Sequence, residues 1–133
     1  MSKQRTRKEP VTFEFQGREC VLELGRYQHG GRLALSVLEK QTREPWTEAT
    51  VNIPEAPLRP GEVFIKDYSE NEGLLQALYD ARIVMSTGEH VQSGYVRIPK
   101  CLLMVPVPEH FRDGTLLERT VTPERSRQAE REF

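Results

Sequence analysis

From Val11 onward apolar and polar residues alternate: Val11, Phe13 and Phe15 stand against Thr12 and Glu14, and past Gln16-Gly17 come Cys20, Leu22 and Leu24 against Glu19 and Glu23. A period of two belongs to a strand with one face buried, so the segment reads as a β-hairpin. Gly17 supplies the positive φ that a two-residue turn demands. Gly25–Gly31 (GRYQHGG) reads as a loop, and Arg32–Glu39, with Leu33, Leu35 and Val37 alternating with Ala34, Ser36 and Leu38, as a third strand. Gln41–Pro45 is turn material, and Thr47–Ile53 predicts a fourth strand. Pro54, Pro57 and Pro60 then interrupt any ladder, because proline has no N–H to pair, and force an extended connection into a short strand at Glu62–Ile65.

The period changes at Ile65–Val84. Leu74, Ala77, Leu78 and Ala81 recur at helical spacing, with Leu75 and Tyr79 widening the stripe. Ser69 followed by Glu72 has the spacing of a capping box, Glu70 adds negative charge at the helix start, and Arg82 adds a cation at its end. A helix of about three to four turns is expected, and it needs a platform for its apolar face. Ser86–Ser93, with Gly88, reads as a loop, and Gly94–Val105 (GYVRIPKCLLMV) as the last core strand, broken at Pro99.

The pattern therefore predicts an α+β domain: an antiparallel β-sheet of about five to six strands with one principal helix packed on one face. Its inner face is expected to draw on Phe13, Phe15, Leu22, Leu33, Leu35, Val51 and Val96. Residues 11–105 form the single domain in this reading. Residues 1–10 are a flexible basic arm, and 106–133 a C-terminal extension, partly mobile, with a short polar helix from Thr122-Pro123-Glu124 through Arg131.

Composition narrows the function. A net charge of −1 gives polyanions no general attraction, so nucleic-acid binding would require a local patch. No run approaches the roughly 18 apolar residues of a membrane span, and Met1–Pro10 is charged where a signal peptide would be apolar, which predicts a cytoplasmic protein. Cys20 and Cys101, both among strand hydrophobes, read as buried free thiols, although facing strands could join them.

Catalytic chemistry finds no foothold. His29, His90 and His110 sit far apart in loop-like segments without a metal ligand at i+3 or i+4, and Gly30-Gly31 lacks the spacing of a phosphate cradle. Asp67, Glu70 and Glu72 are accounted for by a helix start. The expectation is a protein that is not an enzyme, with no catalytic, cofactor or metal residues. Trp46 reads first as a core aromatic and otherwise as an interface anchor, and Tyr68 and Tyr27 share that second reading. The alternative is a nucleic-acid binder using Lys3, Arg5, Arg7 and Lys8 of the arm together with Arg26 and Arg32.

The segments TVNIP (Thr50–Pro54), GEVFIKDYSENEGLLQAL (Gly61–Leu78) and SGYVRIP (Ser93–Pro99) resemble a family of small uncharacterised bacterial proteins, a domain of unknown function encoded on plasmids, phages and integrative elements. The resemblance spans about Leu22 to Met104 and transfers no functional residue. It implies a mobile-element accessory protein, working as a monomer or homodimer by binding and modulating or inhibiting a host protein or nucleoprotein complex. An anti-defence inhibitor such as an anti-CRISPR protein is one form of that implication.

Overall fold

The structure, a computed structural model, describes residues 6–121. Its elements are β1 (Arg7–Pro10), β2 (Thr12–Phe15), β3 (Arg18–Arg26), β4 (Leu33–Glu39), β5 (Pro45–Glu48), β6 (Glu62–Phe64), a 3₁₀ turn (Ser69–Asn71), α1 (Leu74–Asp80), β7 (Val84–Ser93), β8 (Val96–Leu103) and β9 (Glu118–Val121). The α+β class holds, but among the described residues nine strands are divided over three antiparallel sheets where five or six in one sheet were expected.

The largest sheet, β2-β3-β4-β5, is the meander that the alternation predicts. Gln16 and Gly17 both take positive φ, 52° and 79°, the turn whose twist suits a two-residue hairpin, and Phe13 consequently faces Cys20 across β2 and β3. The expected fourth strand is shorter than Thr47–Ile53. Its ladder with β4 ends at Glu48, and beyond it the Thr50 hydroxyl accepts the Leu35 N–H at 3.1 Å. From there the chain crosses to the second sheet: Thr50 bridges Ile65, and the Val51 N–H reaches the Phe64 carbonyl.

That sheet, β6-β8-β7, contains the expected last strand and also a strand read from the sequence as a loop. Ser86–Ser93 belongs to β7 and pairs with β8 on both sides of a register shift between Ser86 and His90. Only Val84 of its ten residues is buried, so no alternation marked it. Pro99 is accommodated within β8, opposite His90.

The helix is shorter than predicted. Gly73 takes a left-handed φ of 92° and separates the 3₁₀ turn from α1, limiting the helix to Leu74–Asp80. Ser69 makes no capping bond there. Asp67 does that work, its Oδ1 accepting the Leu75 N–H at 2.9 Å. Arg82, also left-handed at φ 62°, lies beyond the helix end and not in its last turn.

Both tails were drawn too long. Arg7–Pro10 pairs with Glu118–Val121, so the arm is strand from Arg7, while Lys3, Arg5 and the expected helix to Arg131 lie outside the described residues. Past the end of β2, Thr115–Leu117 takes over the exposed edge of β3: Leu24 N–H donates to the Thr115 carbonyl and Leu117 N–H to the Leu22 carbonyl. Leu117 is fully buried. The segment after Val105 therefore completes the fold, because β3 would otherwise leave backbone groups unpaired.

Leu74 and Leu78 sit in the main core with Phe13, Phe15, Leu22, Leu35, Val63, Ile83 and Leu117, as the platform argument required. Burial of each large side chain contributes about 1.5–3 kcal/mol before ordering entropy is subtracted. A smaller cluster of Ile53, Ala56, Phe64 and Ile98 gathers Val51, Tyr68, Val91 and Val96, so Val51 and Val96 serve this second cluster and not the helix platform. Cys20 and Cys101 are free thiols, both buried in the main core.

Candidate functional site

Two of the arginines singled out in the sequence stand on the same hairpin: Arg26 ends β3, and Arg32 precedes β4. They open onto a cleft of about 420 Å³, half open to solvent. Opposite them is the proline-bounded segment Leu58–Glu62, which brings a third cation, Arg59. Leu33, Leu58, Leu103, Val107 and Phe111 supply an apolar lining. The hairpin, the segment leading into β6, the end of β8 and the loop beyond it thus converge on one site.

Each guanidinium is placed by a different contact. Arg32 donates to the Ile53 carbonyl at 2.8 Å. Arg26 lies 4.5 Å over the Phe111 ring and donates to the Glu109 carbonyl at 3.3 Å, a cation–π contact that holds the loop against the hairpin. Arg59 is exposed on a backbone stiffened by Pro60, and its N–H donates to Glu62 Oε1 at 2.8 Å. Glu62, the one carboxylate in the lining, is thereby engaged by backbone. Among the described residues no ion pair involves Arg26, Arg32 or Arg59. Three cations around an apolar floor can hold an anion through charge-assisted hydrogen bonds while its body leaves water.

The predicted aromatic anchors are engaged by separate parts of the fold. Trp46 is half-buried, its ring centroid 5.4 Å from that of Phe15 and the Arg18 guanidinium 5.6 Å above it. The Tyr27 hydroxyl meets the Thr50 hydroxyl at 2.7 Å, and burial pushes its pKa up against the opposing effect of that bond. Tyr68 packs on the smaller cluster, with Lys66 5.7 Å from its ring. Of the described cations of the arm, Arg7 pairs with Glu9 at 2.6 Å and Lys8 is exposed; neither lines the cleft.

The thiols are set against nucleophilic use. Burial, with Glu39 adding to it, raises Cys20 to about 11, and burial with Asp67 raises Cys101 to about 12, so both stay protonated near neutrality. His29 lies between β3 and β4, His90 in β7 and His110 after β8, all exposed.

Sequence reasoning missed Arg59, Leu58, Leu103, Val107 and Phe111. The available signal was Arg59 itself, a cation between Leu58 and Pro60 on a rigid segment that cannot fold back on a sheet. Comparison of the chain with protein-family models, with curated proteins and with solved structures found no match.

Proposed function

We propose that the protein is a non-enzymatic interaction protein that acts by stoichiometric contact with a protein or nucleoprotein complex, and that the arginine-rimmed cleft is its point of contact. The observation that carries this reading is the convergence of Arg26, Arg32 and Arg59 on an apolar floor, with none of the three in an ion pair among the described residues. Arginines beside apolar surface, which lose water only when a partner covers them, are what interface hot spots are made of. The protonated, buried thiols and the dispersed histidines give a nucleophilic or metal mechanism no support. The resemblance of Thr50–Pro54, Gly61–Leu78 and Ser93–Pro99 to mobile-element proteins supports, as setting, inhibition or modulation of a host complex, including an anti-defence role.

The test is affinity capture by the tagged full chain from host lysate, with and without nuclease treatment, with Arg59→Glu alongside. Among the described residues the Arg59 guanidinium makes no hydrogen bond or ion pair, so its reversal should leave folding intact, checked by an unchanged thermal midpoint. A discrete protein in stoichiometric yield, lost with Arg59→Glu, is the expected result. Equal capture by both forms, or recovery of nucleic acid alone, would overturn the reading; the second result would promote the nucleic-acid alternative through Lys3, Arg5, Arg7, Lys8, Arg26 and Arg32.

A further inference from the structure

We infer that the cleft recognises an acidic peptide segment of a partner protein: a carboxylate side chain held by the arginine rim and a neighbouring aliphatic side chain seated on the floor. This rests on the reading of the cleft as the contact point and adds the chemistry of what enters it.

Charge comes first. Among the described residues the rim carries three guanidiniums and the lining one carboxylate, Glu62, whose Oε1 already accepts the Arg59 backbone N–H; Glu89, outside the lining, pairs with Lys100 and is only secondarily influenced by Arg59. The site is therefore cationic and selects an anion. Guanidinium forks match the planar, two-oxygen face of carboxylates and phosphates, which leaves two classes of ligand.

The floor separates those two classes. Binding of single-stranded nucleic acid relies on open aromatic faces against which bases stack. The one aromatic ring in the cleft, Phe111, has Arg26 over its face at 4.5 Å. What remains is Leu33, Leu58, Pro60, Leu103 and Val107, branched and aliphatic. Such a surface takes a leucine, isoleucine or valine side chain and offers a flat base no stacking partner. The net charge of −1 also denies a nucleic acid the long-range attraction that supplies most of its non-specific affinity.

Shape agrees with a chain segment. At about 420 Å³ the cleft falls in the range of ligand sites, about 300–1,000 Å³, and it is open enough to solvent to admit part of a polypeptide. Two of the three guanidiniums are held before anything binds. Arg32 is tethered to the Ile53 carbonyl and Arg26 to Phe111 and the Glu109 carbonyl, so these two lose little side-chain freedom on association, while Arg59 is left to order on the ligand.

The experiment is fluorescence anisotropy with the purified full chain and a fluorescein-labelled synthetic peptide in which leucine and glutamate are paired between glycine-serine flanks. Two further peptides replace glutamate by glutamine or leucine by alanine, and a labelled oligothymidylate serves as the nucleic-acid probe. Saturable binding of the first peptide is expected, weakened about tenfold or more by either replacement and about tenfold by Arg59→Ala, the loss of one charge-assisted contact at an exposed site. Arg59→Lys should recover only part of it, since the ammonium lacks the fork. Absence of saturable binding, indifference to Arg59→Ala, or tighter binding of the oligothymidylate at the same site would overturn the inference. The two levels separate by competition: a partner captured in an Arg59-dependent manner that the peptide fails to displace removes this inference and leaves the proposed function standing, whereas capture indifferent to Arg59 removes both.

Discussion

In the β2–β5 sheet the inward positions are buried almost without exception, while in β7 nine of ten residues are exposed or half-exposed and only Val84 is buried. The two regions are built from similar ladders but held differently. β2, β3 and β4 bring Phe13, Phe15, Leu22, Leu24, Leu35 and Val37 into the main core under α1. β7 is an edge strand whose inner end is anchored by Val84 and whose outer half, His90–Ser93, is backed by β8 and the small cluster through Val91 alone. At its tip Tyr95 is wholly exposed. Backbone hydrogen bonds alone make a strand; apolar burial makes a strand that resists opening.

If that contrast is right, substitutions should divide along it. Leu22→Ala and Leu74→Ala, each removing a fully buried side chain from the main core, should lower unfolding free energy by about 2–5 kcal/mol in urea titrations. Leu117→Ala should fall in the same range, although Leu117 lies in the segment read from the sequence as an extension. A loss under about 0.5 kcal/mol there, the size of a surface substitution, would restore the extension to the periphery.

Alkaline pH probes the same core through its thiols. Their folded-state pKa values, about 11 and about 12, exceed the ordinary 9.0, so below 9.0 the two states hold these protons equally. Above it the unfolded chain releases protons first, and stability should fall with rising pH until the folded thiols ionise, by up to about 1.4 kcal/mol per pH unit for each thiol. Urea midpoints at pH 8 and 10 should diverge in the native sequence and diverge less in a Cys20→Ala, Cys101→Ala variant, in which the raised Tyr27 hydroxyl still contributes near pH 10.

Smaller effects belong to helix ends and the hairpin tip. Asp67→Ala removes the bond to the Leu75 N–H and should cost about 1 kcal/mol, whereas Ser69→Ala should stay within about 0.5 kcal/mol. Tyr95→Ala should leave the thermal midpoint unchanged, and amide exchange over His90–Ser93 should be faster than over β3.

Legibility followed the same division. Where one face is buried, a strict alternation has to be written into the sequence, and the Gln16-Gly17 hairpin and the first three strands were readable for that reason. β7 carries little alternation because only Val84 and Val91 reach apolar clusters, and the exposed STGEH between them reads as a loop. The capping box failed because Gly73 follows Glu72 at once: Ser69-x-x-Glu72 has the right spacing, but the left-handed glycine resets the helix start and passes the cap to Asp67. The C-terminal strand was hidden because its partner, Arg7–Pro10, has no apolar pattern and pairing across such a sequence distance leaves no local trace. The cleft itself was not legible: Arg26 and Arg32 were named only as partners of the basic arm in a nucleic-acid reading, and they, Arg59 and the floor come together only through the packing of four distant segments.

The measurement that bears most directly on the central claim is a two-dimensional ¹H–¹⁵N NMR titration of the full chain with the leucine-glutamate peptide. The account expects shift changes concentrated at Arg26, Arg32, Arg59, Leu103 and Phe111, with the exposed face around Tyr79, Met85 and Met104 unmoved. Changes centred on that second face, or no saturable change at the cleft, would contradict it.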